Sequence, residues 1–115
     1  MTEVTIWHNP RCSKSRQTLA LIEERGLTPT VRPYLTDPPS EAEIRAALAA
    51  LDIAPIELMR TNEAEFKALG LSRDSDPTSL IRAMATTPKL IERPVVFANG
   101  KARLGRPPEQ VLDIL

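Results

Sequence analysis

The chain contains one cysteine, Cys12, and one histidine, His8, among 115 residues. A lone cysteine excludes an internal disulfide and a multi-cysteine zinc site. A lone histidine excludes a multi-histidine metal centre, and no metal ion is expected. The formal net charge is zero, which argues against a general binder of nucleic acid or of anionic membranes and leaves only local basic clusters to explain. No apolar run approaches the roughly 20 residues that a helix needs to span a bilayer. The opening MTEVTIWHNP has neither a basic nor a long apolar stretch, so no secretory signal and no membrane partner are expected. A cytoplasmic location, where a free thiol stays reduced, is the expectation that follows. The phosphate-binding patterns G-x-x-x-x-G-K-[ST] and G-x-G-x-x-G are absent. So are internal repeats, linkers and low-complexity segments.

What is present describes a globular α/β chain. Hydrophobic residues make up 42% and charged ones 26%, which is ordinary for one domain with a modest core. The eleven prolines cluster where elements should begin or end. Val4, Thr5, Ile6 and Trp7 read as a strand. A loop over 8–12 carries Pro10, and 13–25 favours a helix with Leu19 and Ile22 on its inner face. Gly26 supplies the left-handed stop. A second strand is expected over 30–35, with Pro33 marking it as an edge strand. Ser40 and Glu43 form a capping box ahead of Ile44, Ala47, Leu48 and Leu51 at helical spacing. Asn62 opens a short helix that closes near Gly70. Asp76-Pro77 begins another, with Leu80, Ile81 and Met84 on its apolar face. A strand over 94–97, the turn Asn99-Gly100 and a strand over 102–104 make a hairpin. Pro107-Pro108 starts a last helix, with Val111, Leu112 and Leu115 facing inward. The order βαβ, helices, ββα fits an α/β, thioredoxin-like domain over 1–115. Its four-stranded mixed sheet carries a helical insertion at about 40–91.

The placing of Cys12 carries the chemistry. A free thiol has a pKa of about 8.5, and its anion is the nucleophile. At a strand–loop–helix junction the first helical N–H groups and the helix dipole favour that anion. Arg11, Lys14 and Arg16 add positive charge. The same helix start can receive an oxyanion. A buried, inert cysteine is the plain alternative, and the polar, proline-containing surroundings weigh against it. His8 could tune the thiolate or bond a loop carbonyl. Ser15 stands where a Cys-x-x-Cys redox pair would need its second thiol. Thr18 stands where a Cys-x5-Arg phosphatase loop would need arginine.

The run His8-Asn9-Pro10-x-Cys12, then Ser15-Arg16 and Thr18-Leu19, resembles the active-site motif of the glutaredoxin-coupled arsenate reductases. Tyr34-Leu35, Pro38-Pro39, Leu58-Met59-Arg60, Leu69-Gly70-Leu71, Arg93-Pro94-Val95-Val96 and Gly105-Arg106-Pro107-Pro108 follow in the family's order across almost the whole chain. The similarity is closest to the short, arsenate reductase-like members. It implies reduction of arsenate to arsenite through nucleophilic Cys12. Arg60, Arg93 and Arg106 would hold the oxyanion, and His8 and Ser15 would tune the thiolate. It implies glutathione as co-substrate, glutaredoxin as partner and no bound cofactor. It also suggests a cis proline at Pro94. The three arginines suit the task, because a planar fork of donors matches a tetrahedral oxyanion. With no second cysteine, a partner thiol must resolve any sulfur intermediate. Two rivals share the fold. One is an oxidoreductase acting on another oxyanion or on a glutathione mixed disulfide. The other is an Spx-type regulator that docks on RNA polymerase, although many such regulators use the Cys-x-x-Cys switch that Ser15 removes here.

Overall fold

Every residue of β1 (Val4–Trp7) is β-branched or aromatic, and this strand sits inside the sheet. In the computed structural model, which describes residues 3–115, the sheet order is β2-β1-β3-β4. β2 (Thr30–Arg32) runs parallel to β1, while β3 (Val95–Ala98) and β4 (Lys101–Leu104) pair antiparallel. The thioredoxin-like α/β architecture follows from that mixed sheet and its helices. The chain divides into two compact units, one formed by residues up to 37 together with 93–115, the other by 38–92.

The first unit is built on strand alternation. Val4 and Ile6 of β1 share one face with their partners Ala98 and Val96. That face joins Ile22, Val111 and Ile114 in one buried cluster. Trp7 and Phe97 meet with ring centroids 5.0 Å apart, and the register places them on the opposite face. Helix α1 (Ser13–Glu24) contributes Ile22 fully and Leu19 partly to the cluster. It stops at Gly26, whose φ of 78° lets its N–H reach the Glu23 carbonyl at 2.9 Å.

β3 begins one residue later and β4 one residue earlier than the sequence expectation, and the larger differences lie in β2 and the last helix. β2 ends at Arg32 rather than running to 35. Pro33 offers no N–H, and its carbonyl instead accepts the amides of Thr36 and Asp37, each at 2.9 Å, in a turn. The last helix is a 3₁₀ segment, Pro108–Ile114. Its repeat of three brings Val111 and Ile114 into the core, while Leu112 and Leu115 are only half-buried.

The second unit is helical. α2 (Glu41–Leu51) begins at the Ser40–Glu43 capping box, with reciprocal bonds of 3.1 and 2.9 Å. It buries Ile44, Ala47 and Leu48. α3 (Ala64–Ala68) has Glu63 rather than Asn62 as its N-cap, and the Glu63 amide donates to the Arg60 carbonyl at 3.2 Å. α4 (Pro77–Thr86) buries Leu80, Ile81, Ala83 and Met84. Short 3₁₀ segments cover Pro55–Leu58 and Pro88–Leu90. Among the described residues no helix is long and apolar enough to cross a membrane.

The hairpin between β3 and β4 is also tied to the chain end. Asn99 adopts a φ of 54°, and its side-chain amide donates to the Ile114 carbonyl at 2.7 Å. Asn99→Gly keeps the backbone relaxed but loses that bond, so it should destabilise by about 1 kcal/mol. Asn99→Ala should cost roughly 1–2 kcal/mol more, through left-handed strain. Urea unfolding of the two variants measures both terms.

Candidate active site

The junction after β1 is organised by short polar contacts. The His8 amide donates to the Arg32 carbonyl at 2.9 Å, which prolongs the β1–β2 pairing. Pro10 then prevents the strand from continuing. The Asn9 side-chain oxygen accepts the Arg11 amide at 3.0 Å, an Asx turn, and the Asn9 carbonyl accepts the Cys12 amide, also at 3.0 Å. Cys12 itself is extended, with φ −94° and ψ 122°, at the N-cap of α1. Its carbonyl accepts the first helical bond, from Arg16 at 3.0 Å. The thiol therefore stands where the unpaired amides of a helix start are found.

Ser15 is fully buried one turn along. Its hydroxyl accepts the Asn9 amide at 3.0 Å and lies 2.6 Å from His8 Nδ1. The direction of the bond between His8 Nδ1 and the Ser15 hydroxyl is set by the His8 tautomer, because the hydroxyl can accept a second proton as well as give its own. Burial, followed by the positive charge of Arg16, holds the His8 pKa below its ordinary value. His8 thus meets Ser15, and its link to Cys12 runs through that residue.

Cys12 is 8% exposed. Burial pushes its thiol up, but the Ser15 amide, the side chain and charge of Arg93, and the Lys14 amide together bring it below the ordinary value. The first turn of α1 has no acidic residue to oppose this. Arg16 is held over the loop by a 3.0 Å bond to the Pro10 carbonyl, and Arg11 and Lys14 are exposed.

Arg93 and Arg106 arrive from the two ends of the hairpin. Its last register pair is Val95 with Leu104. One step further, the Gly105 amide donates to the Pro94 carbonyl at 3.0 Å, and one step beyond that Arg106 Nε donates to the Arg93 carbonyl at 2.9 Å. Both Arg93–Pro94 and Arg106–Pro107 are cis. Gly105 allows this end to close. A Cβ there would lie 2.6 Å from Pro94 Cγ and in still closer conflict with Thr18 Oγ1. Thr18 is buried and donates to the Lys14 carbonyl at 2.8 Å. The sequence reading did not single out Gly105 or Thr18 for this contact, and their spacing of 87 positions in the chain leaves no local signal.

Of the residues expected at the site, the first unit contains Cys12, His8, Ser15, Arg93 and Arg106. Arg60 belongs to the second unit, where its NH1 pairs with Glu63 at 3.1 Å and its Nε lies 4.0 Å from Glu92. Those carboxylates had not been foreseen.

The described residues thus form a four-stranded thioredoxin-like sheet with one free cysteine, Cys12, at the head of its first helix. The ArsC family model matches residues 7–114, and the chain belongs to that family. It is 52% identical to Escherichia coli K12 YfgD, described as an uncharacterized protein, over 98% of this chain and 97% of that one. It is 45% identical to an arsenate reductase of Neisseria meningitidis serogroup A, with full coverage of both chains. The solved structure of an arsenate reductase from Vibrio cholerae superposes with a TM-score of 0.95 at 48% identity, covering 99% of this chain and 98% of that one.

Two outcomes follow for the site. Because the folded-state pKa of His8 is depressed, its neutral form contributes stability that is present above the ordinary value of 6.5 and is lost as pH falls through the folded pKa. Thermal melts should therefore show the wild type losing more stability than His8→Asn as pH drops below that value. Gly105→Ala should destabilise the fold by about 1–3 kcal/mol through overpacking. Chemical denaturation measures this loss.

Proposed function

We propose that the protein reduces arsenate to arsenite, with Cys12 as nucleophile and glutathione and glutaredoxin as the thiol donors. The observation that carries this reading is the Arg93 guanidinium favouring the Cys12 thiolate, with Arg106 bonded to the Arg93 carbonyl. An anionic nucleophile next to forked cations suits attack on a tetrahedral oxyanion. The names of the meningococcal and Vibrio relatives support arsenate as that oxyanion.

In this scheme the Cys12 thiolate attacks arsenic(V), and one arsenate oxygen leaves as water after taking up protons. Glutathione displaces a second oxygen as water, leaving arsenic bonded to two sulfurs. A glutaredoxin thiol then attacks the glutathione sulfur. The electron pair of that sulfur–arsenic bond passes to arsenic, which becomes arsenic(III), and a disulfide forms. Water releases arsenite and restores Cys12. In total, two thiols become one disulfide, and arsenate loses one oxygen as water. Arg93 and Arg106 offset the oxyanion's charge while remaining protonated. Arg60 shares the anion-binding task on the strength of the family pattern.

The test is arsenate-dependent NADPH oxidation coupled through glutathione, glutaredoxin and glutathione reductase. Wild type should turn over, and Cys12→Ser should not. Arg93→Ala should lose about 2–4 kcal/mol of transition-state stabilisation, with Arg93→Lys recovering only part of it. Oxidation no faster than in Cys12→Ser would reject the reading.

A further inference from the structure

Thr18 lies within the first unit, on α1, and is fully buried. Its hydroxyl donates to the Lys14 carbonyl at 2.8 Å. Threonines inside helices often bond back to the carbonyl four residues earlier, and such a bond is usually a local accommodation. Here the accepting carbonyl is one half of a peptide group whose other half acts on the thiol. The Lys14 carbonyl and the Ser15 N–H share one planar amide. Cys12 is the N-cap of α1 and Ser15 its third residue, the spacing at which a cap side chain meets a backbone N–H. Against the opposing effect of burial, that N–H and then the Arg93 side chain favour the Cys12 anion.

The hydroxyl is also shut in. A Cβ at Gly105 would run into Thr18 Oγ1 and lie 2.6 Å from Pro94 Cγ, so the hairpin end closes directly over that oxygen. With no exposure to water, the Thr18 proton is committed to the Lys14 carbonyl. A hydrogen bond accepted by a carbonyl draws electron density toward the oxygen. The N–H of the same amide then becomes a stronger donor, most of all where water is excluded. Thr18 carries no charge of its own, so any effect on the sulfur must pass through this peptide.

We infer that Thr18 is a positioning residue for the Cys12 thiol: its hydroxyl orients and polarises the Lys14–Ser15 peptide, whose N–H meets the sulfur, and the bare Cα of Gly105 leaves the room that keeps this hydroxyl in place. The bearing of this on arsenate rests on the reading of Cys12 as the nucleophile. It also gives a reason for a hydroxyl at a fully buried position where valine would fill the same space.

The experiment follows thiolate absorbance against pH in the full chain, with Cys12→Ser as the blank and thermal melts alongside. Thr18→Val keeps the volume and removes the hydroxyl. It should raise the Cys12 midpoint by roughly 0.3–0.5 pH unit, the size of a modest weakening of one bond to a charged group. Thr18→Ala also lacks the hydroxyl and should raise the midpoint similarly. Thr18→Ser keeps the hydroxyl and should leave the midpoint at the wild-type value. Ile22→Val thins the core on the same helix, so it should lower the melting temperature without moving the midpoint. In arsenate turnover, the acid limb of kcat/KM should move with the midpoint in Thr18→Val. An unmoved midpoint in Thr18→Val and Thr18→Ala would overturn the role. An equal rise in Thr18→Ser or Ile22→Val would also overturn it, as an effect of packing alone. A raised midpoint in a protein that does not turn over arsenate would uphold the role of Thr18 and overturn the proposed reaction.

Discussion

The Ser15 hydroxyl is the contact on which the arrangement of the thiol loop depends. It sits in the first turn of α1, fully buried, and engages both the Asn9 amide and the His8 ring. Strand end, loop and helix start are thereby joined at one oxygen. Leaving those buried groups unpaired would cost each its desolvation, about 1–3 kcal/mol, so the loop has little freedom to choose another path. Once Asn9 is fixed, its carbonyl receives the Cys12 amide and its side chain receives that of Arg11. The cysteine is left at the helix N-cap with its backbone already extended.

The second half of the site is set by hairpin register. With Val95 opposite Leu104, alignment continues through Pro94 with Gly105 to Arg93 with Arg106. Residues thirteen apart in the chain thus emerge at the same end of the sheet. The absence of a side chain at Gly105 lets that end approach Thr18 on α1. Apolar packing of Ile6, Ile22, Val96 and Val111 supplies the cohesion. The polar contacts and the glycine determine which groups face the sulfur.

Much of this was legible in the sequence where the signal was local. The β-formers of β1, the Gly26 stop, the Ser40–Glu43 box and the left-handed Asn99-Gly100 turn each express a constraint on adjacent residues. The early end of β2 was less visible, because Pro33 is compatible with an edge strand and only its turn bonds to Thr36 and Asp37 end the pairing. Over the seven residues of Pro108–Ile114, a repeat of 3 turns Val111 and Ile114 inward where a repeat of 3.6 would favour Val111, Leu112 and Leu115, and the proline pair fits either repeat. At the site, the local residues His8, Cys12 and Ser15 could be picked out, but not their bonding. Whether a histidine is cationic depends on its burial and on Arg16, neither of which spacing reports. Glu63 and Glu92 look like surface charges until the 58–60 and 90–92 segments pair around Arg60.

Arg93 and the amides at the head of α1 lower the Cys12 thiol pKa below its ordinary value, against the opposing effect of burial. Thiolate absorbance followed against pH tests it directly, in the wild type, Arg93→Ala and Ser15→Ala, with Cys12→Ser as the blank. The account predicts a wild-type midpoint below that of an ordinary cysteine, and a higher midpoint in Arg93→Ala. It also predicts a rise in Ser15→Ala, where the loop loses the hydroxyl that holds Asn9. A wild-type midpoint at or above the ordinary value, unmoved by removal of Arg93, would contradict it.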